Sequence, residues 1–349
     1  MDIVDLMKQA LNIGASDLHL VVGIPPSIRV DGQIGFLKER ELTPDDTHGL
    51  IYSILPEEKI ERFEKEWELN FSFSNPEVGR FRASIYYQKG YVEGAFRLIP
   101  LEIKSLAQLG HPPVVANLSI KSNGLVLVTG PTGVGKTTTL NAMIDLINTQ
   151  RKVRIITIED PVEFMHRHKN SIVIQREIDT DTRSFNNALV NALRQDPNVI
   201  CVGEMRNLET ISTALTAAET GHLVLSTLHT SDAATTIDRI VDIFPPYQQG
   251  QVRVQLSQCL QGIISQQLLP RMDGPGRVLA LEVLVATSAI RNLIREGKTN
   301  QIENMITTGK DYGMVTMDNF LKNLCKKGIV EQNIAATRAK NPLIFEDLH

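Results

Sequence analysis

The stretch GLVLVTGPTGVGKTTTL, from Gly124 to Leu140, decides how the chain is read. It opens as an apolar run of strand length and closes as the start of an apolar-periodic helix. Between them, Gly130 to Thr137 fits G-x-x-x-x-G-K-[ST]. In that strand–loop–helix setting, glycines let backbone N–H groups curl round phosphates. The expected nucleotide-binding positions are Gly130, Pro131, Thr132, Gly133, Val134, Gly135, Lys136, Thr137 and Thr138. Lys136 would reach the outer phosphates, and the Thr137 hydroxyl would ligate Mg²⁺.

Downstream, apolar strands alternate with helices. Strands are expected at 124–129, 153–159, 171–177, 198–203 and 222–228, and helices at 136–148, 184–195, 208–220 and 232–243. This alternation implies an α/β fold with a mostly parallel sheet covered by helices. A further strand at 277–285 precedes a helical tail from 287, and no element is assigned to 244–276. In RIITIEDPVE, Glu159, Asp160 and Glu163 gather at a strand's carboxyl end, the ligand side of such sheets. Glu204 follows the apolar run NVICVG, where many P-loop proteins place a Mg²⁺-supporting Asp. Base and metal duties therefore fall to Glu204 and the carboxylates between Glu159 and Glu163. In HLVLSTLHT, His222 and His229 are seven residues apart, which points them to opposite faces of a strand and argues against joint metal binding. His229, at the carboxyl end, is the candidate γ-phosphate sensor.

Upstream lies a different grammar. Residues 2–14 have helical spacing, strands are expected at 17–22 and 27–30 before a turn at 31–32, and helices at 43–55 and 57–68. Strands follow at 71–74, 80–87 and 91–99, giving a small antiparallel α+β domain that ends near residue 100. Residues 101–122, with Gly110, Pro112 and Pro113, read as a connector. In GRFRASI the strand period puts Arg80 and Arg82 on one face and Phe81, Ala83 and Ile85 on the other, with Arg97 on the next strand. An arginine can meet the transition-state charge of phosphoryl transfer, sometimes from another chain. On spacing alone a solvated basic face with local ion pairs is the better reading. In AIRNLIREGK, Ile290, Leu293 and Ile294 form an apolar face, while Arg291, Arg295 and Lys298 align along another that could be offered to a partner.

Length and composition set the bounds. The 349 residues suffice for two domains, and 42% hydrophobic with 22% charged residues is ordinary for globular protein. A net charge of −4 gives no overall pull toward nucleic acid. Three scattered cysteines suit a reducing compartment and form no metal motif. The acidic, periodic N-terminus is unlike a signal peptide, and no apolar run is long enough to cross a bilayer.

Taken in order, GPTGVGKTTTL, ITIEDPVEF, DPNVICVGEMRNLETI and TAAETGHLVLSTLHT resemble secretion-type hexameric P-loop ATPases. The chain is most similar to the type IV pilus retraction ATPases, the PilT family, from GASDLHL to GMVTMDNFLKNLCKKG, and AIRNLIREGK matches the motif associated with retraction. Val134 stands where Ser is common and Ser226 where Gly is frequent, and neither change removes a catalytic group. The resemblance implies a PAS-like N-terminal domain over 1–100, a connector over 101–120, a RecA-like ATPase core over 121–286 and a helical region over 287–349. It implies ATP and Mg²⁺, with Glu163 of an Asp box and Glu204 as candidates to activate water, and His222 and His229 in a His box. Arg80, Arg82 and Arg97 become candidate arginine fingers. The implied partners are a homohexamer, a PilC-like inner-membrane platform protein and a PilU-like paralogous ATPase, with no nucleic acid. The implied work is pilus retraction and twitching motility from the cytoplasmic face. An assembly or secretion ATPase, a regulatory ATP-binding partner and a nucleic-acid translocase are the alternatives.

Overall fold

The computed structural model describes residues 1–30, 32–99 and 102–345. These form two compact units: the chain up to Glu102 together with Pro161–Met165, and the remainder. The fold class is the expected α/β, with one sheet in each unit. The expected domain boundary at 100/101 and residue 31 of the expected turn lie outside the described residues.

The first unit begins with α1 (Ile3–Ile13), whose N-terminus is capped by the Asp2 carboxylate and whose end turns at Gly14 with φ 74°. β1 (Asp17–Leu20), β2 (Ser27–Val30) and β3 (Gln33–Phe36) follow. The last was not expected from the sequence. Then come α2 (Pro44–Tyr52), α3 (Glu57–Glu66), β4 (Glu68–Asn75), β5 (Gly79–Gln88) and β6 (Tyr91–Ile99). Thr43 and Asp46 make a capping box ahead of α2, with proline in its first turn. The sheet is antiparallel in the order β3-β2-β1-β6-β5-β4. Along β5, Phe81, Ala83 and Ile85 are buried, and Arg80 and Arg82 share the other face.

The second unit contains α4 (Pro113–Ser119), β7 (Gly124–Thr129), α5 (Lys136–Gln150), β8 (Arg154–Glu159) and β9 (Ile172–Glu177). It continues with α6 (Phe185–Ala192), β10 (Val199–Val202), α7 (Leu208–Glu219), β11 (Leu223–Leu228), α8 (Ala233–Asp242), α9 (Pro246–Cys259) and β12 (Leu260–Pro270). β13 (Arg277–Val285), α10 (Ser288–Glu296), α11 (Ile302–Thr308), α12 (Met317–Lys326) and α13 (Gln332–Ala336) complete it. Sheet order is β13-β12-β7-β11-β10-β8-β9. Only β12–β13 is antiparallel, so β7, β8, β10 and β11 end at one edge. Every residue of β7, β10 and β11 is buried. Each buried Val, Leu or Ile contributes roughly 1.5–3 kcal/mol, which is why these strands read as unbroken apolar runs.

Two expectations need correction. Residues 103–120 are part of the second unit, with Leu106, Val115 and Leu118 buried in its core. Pro113 starts a helix at its first turn instead of marking a break. The unassigned span 244–276 holds α9 and the eleven-residue strand β12, which pairs with β7 on the side opposite β11.

Candidate functional site

The loop between β7 and α5 is shaped by glycines at positive φ, a conformation that strains other residues. Gly130 has φ 137°, and a Cβ there would lie 2.4 Å from the Gln266 carbonyl oxygen. Gly133 and Gly135 have φ 80° and 86°, and Gly135 caps α5, so N–H groups of the first helical turn face the loop. Val134 is buried, consistent with a position whose side chain does not face the phosphates. Lys136 is also buried, and its ammonium donates to the carbonyls of Gly130 (2.7 Å) and Pro131 (2.9 Å). Desolvation lowers its pKa, and the Glu204 charge opposes that shift.

His229 and Glu204 complete a cluster at the same sheet edge. The Lys136 Nζ is 3.5 Å from His229 Nδ1, and His229 Nε2 is 3.4 Å from a Glu204 oxygen. An ammonium only donates, so Nδ1 accepts and Nε2–H faces the carboxylate. Glu204 also pairs with Arg206 at 2.7 Å. Its backbone is aimed by bonds between β10 and β11: Thr227 Oγ1 donates to the Gly203 carbonyl and Met205 N–H to the Thr227 carbonyl. Gly203 precedes it, and a Cβ there would lie a tight 3.2 Å from the Ile158 carbonyl oxygen.

Glu159 and His222 do not join this cluster. Glu159 is buried and accepts from Thr157 Oγ1 and Gln175 Nε2, so it braces β8 and β9. Glu163 is half-buried on segment 161–165, which groups with the first unit. His222 lies at the amino end of β11, six strand residues or roughly 20 Å from the loop. Its ring donates to the Ala217 carbonyl, and its own carbonyl receives Gly124 N–H. Within its own chain His222 therefore braces the start of β11.

The three N-terminal arginines differ in their commitments. Arg82 and Arg97 stand directly opposite one another on β5 and β6. Arg97 Nε pairs with Asp17 at 2.8 Å. Burial would raise the Asp17 carboxyl, but hydrogen bonds from Ser16 and Arg97 outweigh it and hold the group below its usual range. Arg80 donates to the Val162 carbonyl and to Ser74 Oγ. Arg82 is exposed and makes no ion pair among the described residues. On α10 the expectation for Arg291 is overturned. Its guanidinium donates to the carbonyls of Ala286, Ser257 and Gln258, so it caps the end of α9 and faces its own chain. Arg295 and Lys298 stay exposed, held by Asn292 and Glu296.

Sequence reasoning missed Gln266 of β12, which donates to the Val134 carbonyl at 2.7 Å. A short polar run, Ser265 to Gln267, inside an apolar stretch was the signal available.

A profile of the family described as Type II/IV secretion system protein matches residues 101–274. The type IV pilus retraction ATPase PilT of Pseudomonas aeruginosa is 48% identical over 345 residues, covering 99% of this chain and 100% of that protein. A twitching motility protein of Neisseria gonorrhoeae is 46% identical over 316 residues, 90% of this chain and 84% of that one. A crystal structure of the pilus retraction motor PilT with bound ADP superposes with a TM-score of 0.93 at 50% identity, covering 99% of this chain and 98% of that one.

Proposed function

The chain belongs to the PilT family of type IV pilus retraction ATPases, and on that premise we propose that it is an ATP-hydrolysing motor that powers pilus retraction. The observation that carries this reading is the cluster of Lys136, His229 and Glu204 at the carboxyl edge of the sheet, beside a glycine loop. The two carbonyls that hold Lys136 are neutral, so phosphate oxygens would outcompete them for its charge. His229, loosely held on both sides, is free to turn toward a γ-phosphate. Glu204 is the carboxylate that this cluster offers for activating water, and Glu163 is the second candidate. The Thr137 hydroxyl, in the first turn of α5, makes no hydrogen bond among the described residues and suits Mg²⁺, with Glu204 acting through water. Mg²⁺ when bound neutralises phosphate oxygens.

The assembly we propose is a homohexamer in which an arginine of one chain serves a neighbour's site. Arg82 is the favoured finger, because Arg97 and Arg80 are already engaged. The ring would work on a membrane platform protein at the cytoplasmic face, offering Arg295 and Lys298, and with a paralogous retraction ATPase as a second partner. Among the described residues no helix is long and apolar enough to cross a membrane.

Two measurements test the reading together. The purified chain should hydrolyse ATP with Mg²⁺, faster per chain as concentration drives assembly. Expressed in a pilated strain lacking its retraction ATPase, it should restore twitching and reduce surface fibres. Unchanged fibres and no twitching there, with fibre growth restored in a strain lacking its assembly ATPase, would replace retraction with assembly.

A further inference from the structure

We infer that His111, Thr139 and Gln266 are positioning residues, a buried relay that fixes the shape of the phosphate loop and passes its occupancy to segment 103–111. The inference rests on the loop being an ATP site, as proposed above.

The relay has a direction. Gln266 Nε2 donates to the Val134 carbonyl at 2.7 Å, which makes Oε1 the acceptor for the Thr139 hydroxyl at 3.0 Å. That hydroxyl has one proton, so toward His111 Nε2, 3.1 Å away, it must accept. His111 therefore carries a proton on Nε2. Its Nδ1 is buried with no hydrogen-bond partner among the described residues. Burial also pushes its pKa down to about 4, in agreement with a neutral ring.

Gln266 is built into the loop on several sides. The pairing of β12 with β7 ends at Ser265 opposite Thr129, whose hydroxyls are 2.8 Å apart, so Gln266 is the next residue and lies beside Gly130. Its carbonyl oxygen is 2.4 Å from where a Gly130 Cβ would stand, and its side-chain nitrogen is 3.6 Å from where a Gly135 Cβ would stand. Gln266, Thr139 and His111 are 1%, 2% and 8% exposed, so water cannot stand in for a lost link. At the far end His111 N–H donates to the Leu106 carbonyl, closing the turn of segment 103–111 onto a leucine that is buried in the core. A loop that reshapes when phosphates displace Lys136 therefore pulls on one continuous chain of hydrogen bonds.

Thr139→Val removes the hydroxyl at constant shape, and Thr139→Ser keeps it. Steady-state ATPase and hydrogen–deuterium exchange with and without Mg²⁺-ADP would be measured on the full chain. The wild type should hydrolyse ATP and show slower exchange in 103–111 when ADP binds. Thr139→Val should lose that response, with turnover down about fivefold and KM within about twofold, and Thr139→Ser should recover both. Should Thr139→Val fail to fold, His111→Leu with His111→Gln as its control makes the same comparison. A wild type without ATPase overturns the proposed function. An active wild type matched by the hydroxyl-less variant in turnover and in exchange overturns the relay alone.

Discussion

Two cations in this chain are turned inward onto backbone carbonyls, and they do different things. Lys136 rests on Gly130 and Pro131 of the phosphate loop; Arg291 rests on Ala286, Ser257 and Gln258 at the end of α9. Burial lowers the pKa of both. The carbonyls under Arg291 include the last of α9, orphans of a helix terminus that need a donor in every state. A planar guanidinium serves several of them at once. Those under Lys136 belong to a glycine loop, and a compact ammonium on a flexible stem can leave them for a stronger anion. An inward cation is thus a cap or a placeholder according to which carbonyls it covers.

The largest expected effect breaks the placeholder. Lys136→Ala should lower ATP turnover at least about 100-fold while leaving the urea midpoint nearly unchanged; an equal loss of stability would erase the distinction. Arg291→Ala should do the reverse, costing roughly 2 kcal/mol in urea unfolding, with residual ATPase tracking the folded fraction. Arg291→Lys should recover only part of it.

Acid sharpens the contrast. His111 and His166 bond to Thr139 and Asn141 of α5, and burial lowers both rings to about 4. Between the ordinary histidine value of about 6.5 and that value, the unfolded chain takes up protons that the folded chain refuses. Stability should therefore fall with pH across this window, by up to about 1.4 kcal/mol per unit for each ring. Urea titrations of His111→Gln and His166→Gln should show shallower slopes, whereas Arg291→Ala should keep the wild-type slope. The smallest effect is expected at the exposed Arg295: Arg295→Ala should change stability by less than about 0.5 kcal/mol, and twitching is the assay in which a partner role would appear.

How much could be read from residues alone follows from the same physics. The phosphate loop was legible because its glycines, lysine and threonine act through backbone geometry at fixed spacing. The strands of the parallel sheet were legible because burial on both faces leaves them uniformly apolar. β12 was not, for two reasons. α9 ends at Cys259 and β12 starts at Leu260, so no Gly or Pro marks the junction. Gln266 and Gln267 also give an inner strand the polarity of a loop. Arg291 was misjudged because periodicity places a charge on a helix face without showing what lies against it. The separation of the two histidines of HLVLSTLHT was legible, because strand length alone puts His222 at the amino end of β11 and His229 beyond its carboxyl end. Among Arg80, Arg82 and Arg97, the alternation was right, but only contacts that spacing cannot show, Asp17 on Arg97 and the Val162 carbonyl with Ser74 on Arg80, separate the engaged arginines from Arg82.

The direct passage from α9 into β12 has a mechanical meaning. Arg291 grips Ser257 and Gln258, immediately before the strand that carries Gln266 to the phosphate loop. A load applied to the outer side of α10 is therefore in series with the fuel site through a helix end and a strand, with no slack tether between them to soak up the strain.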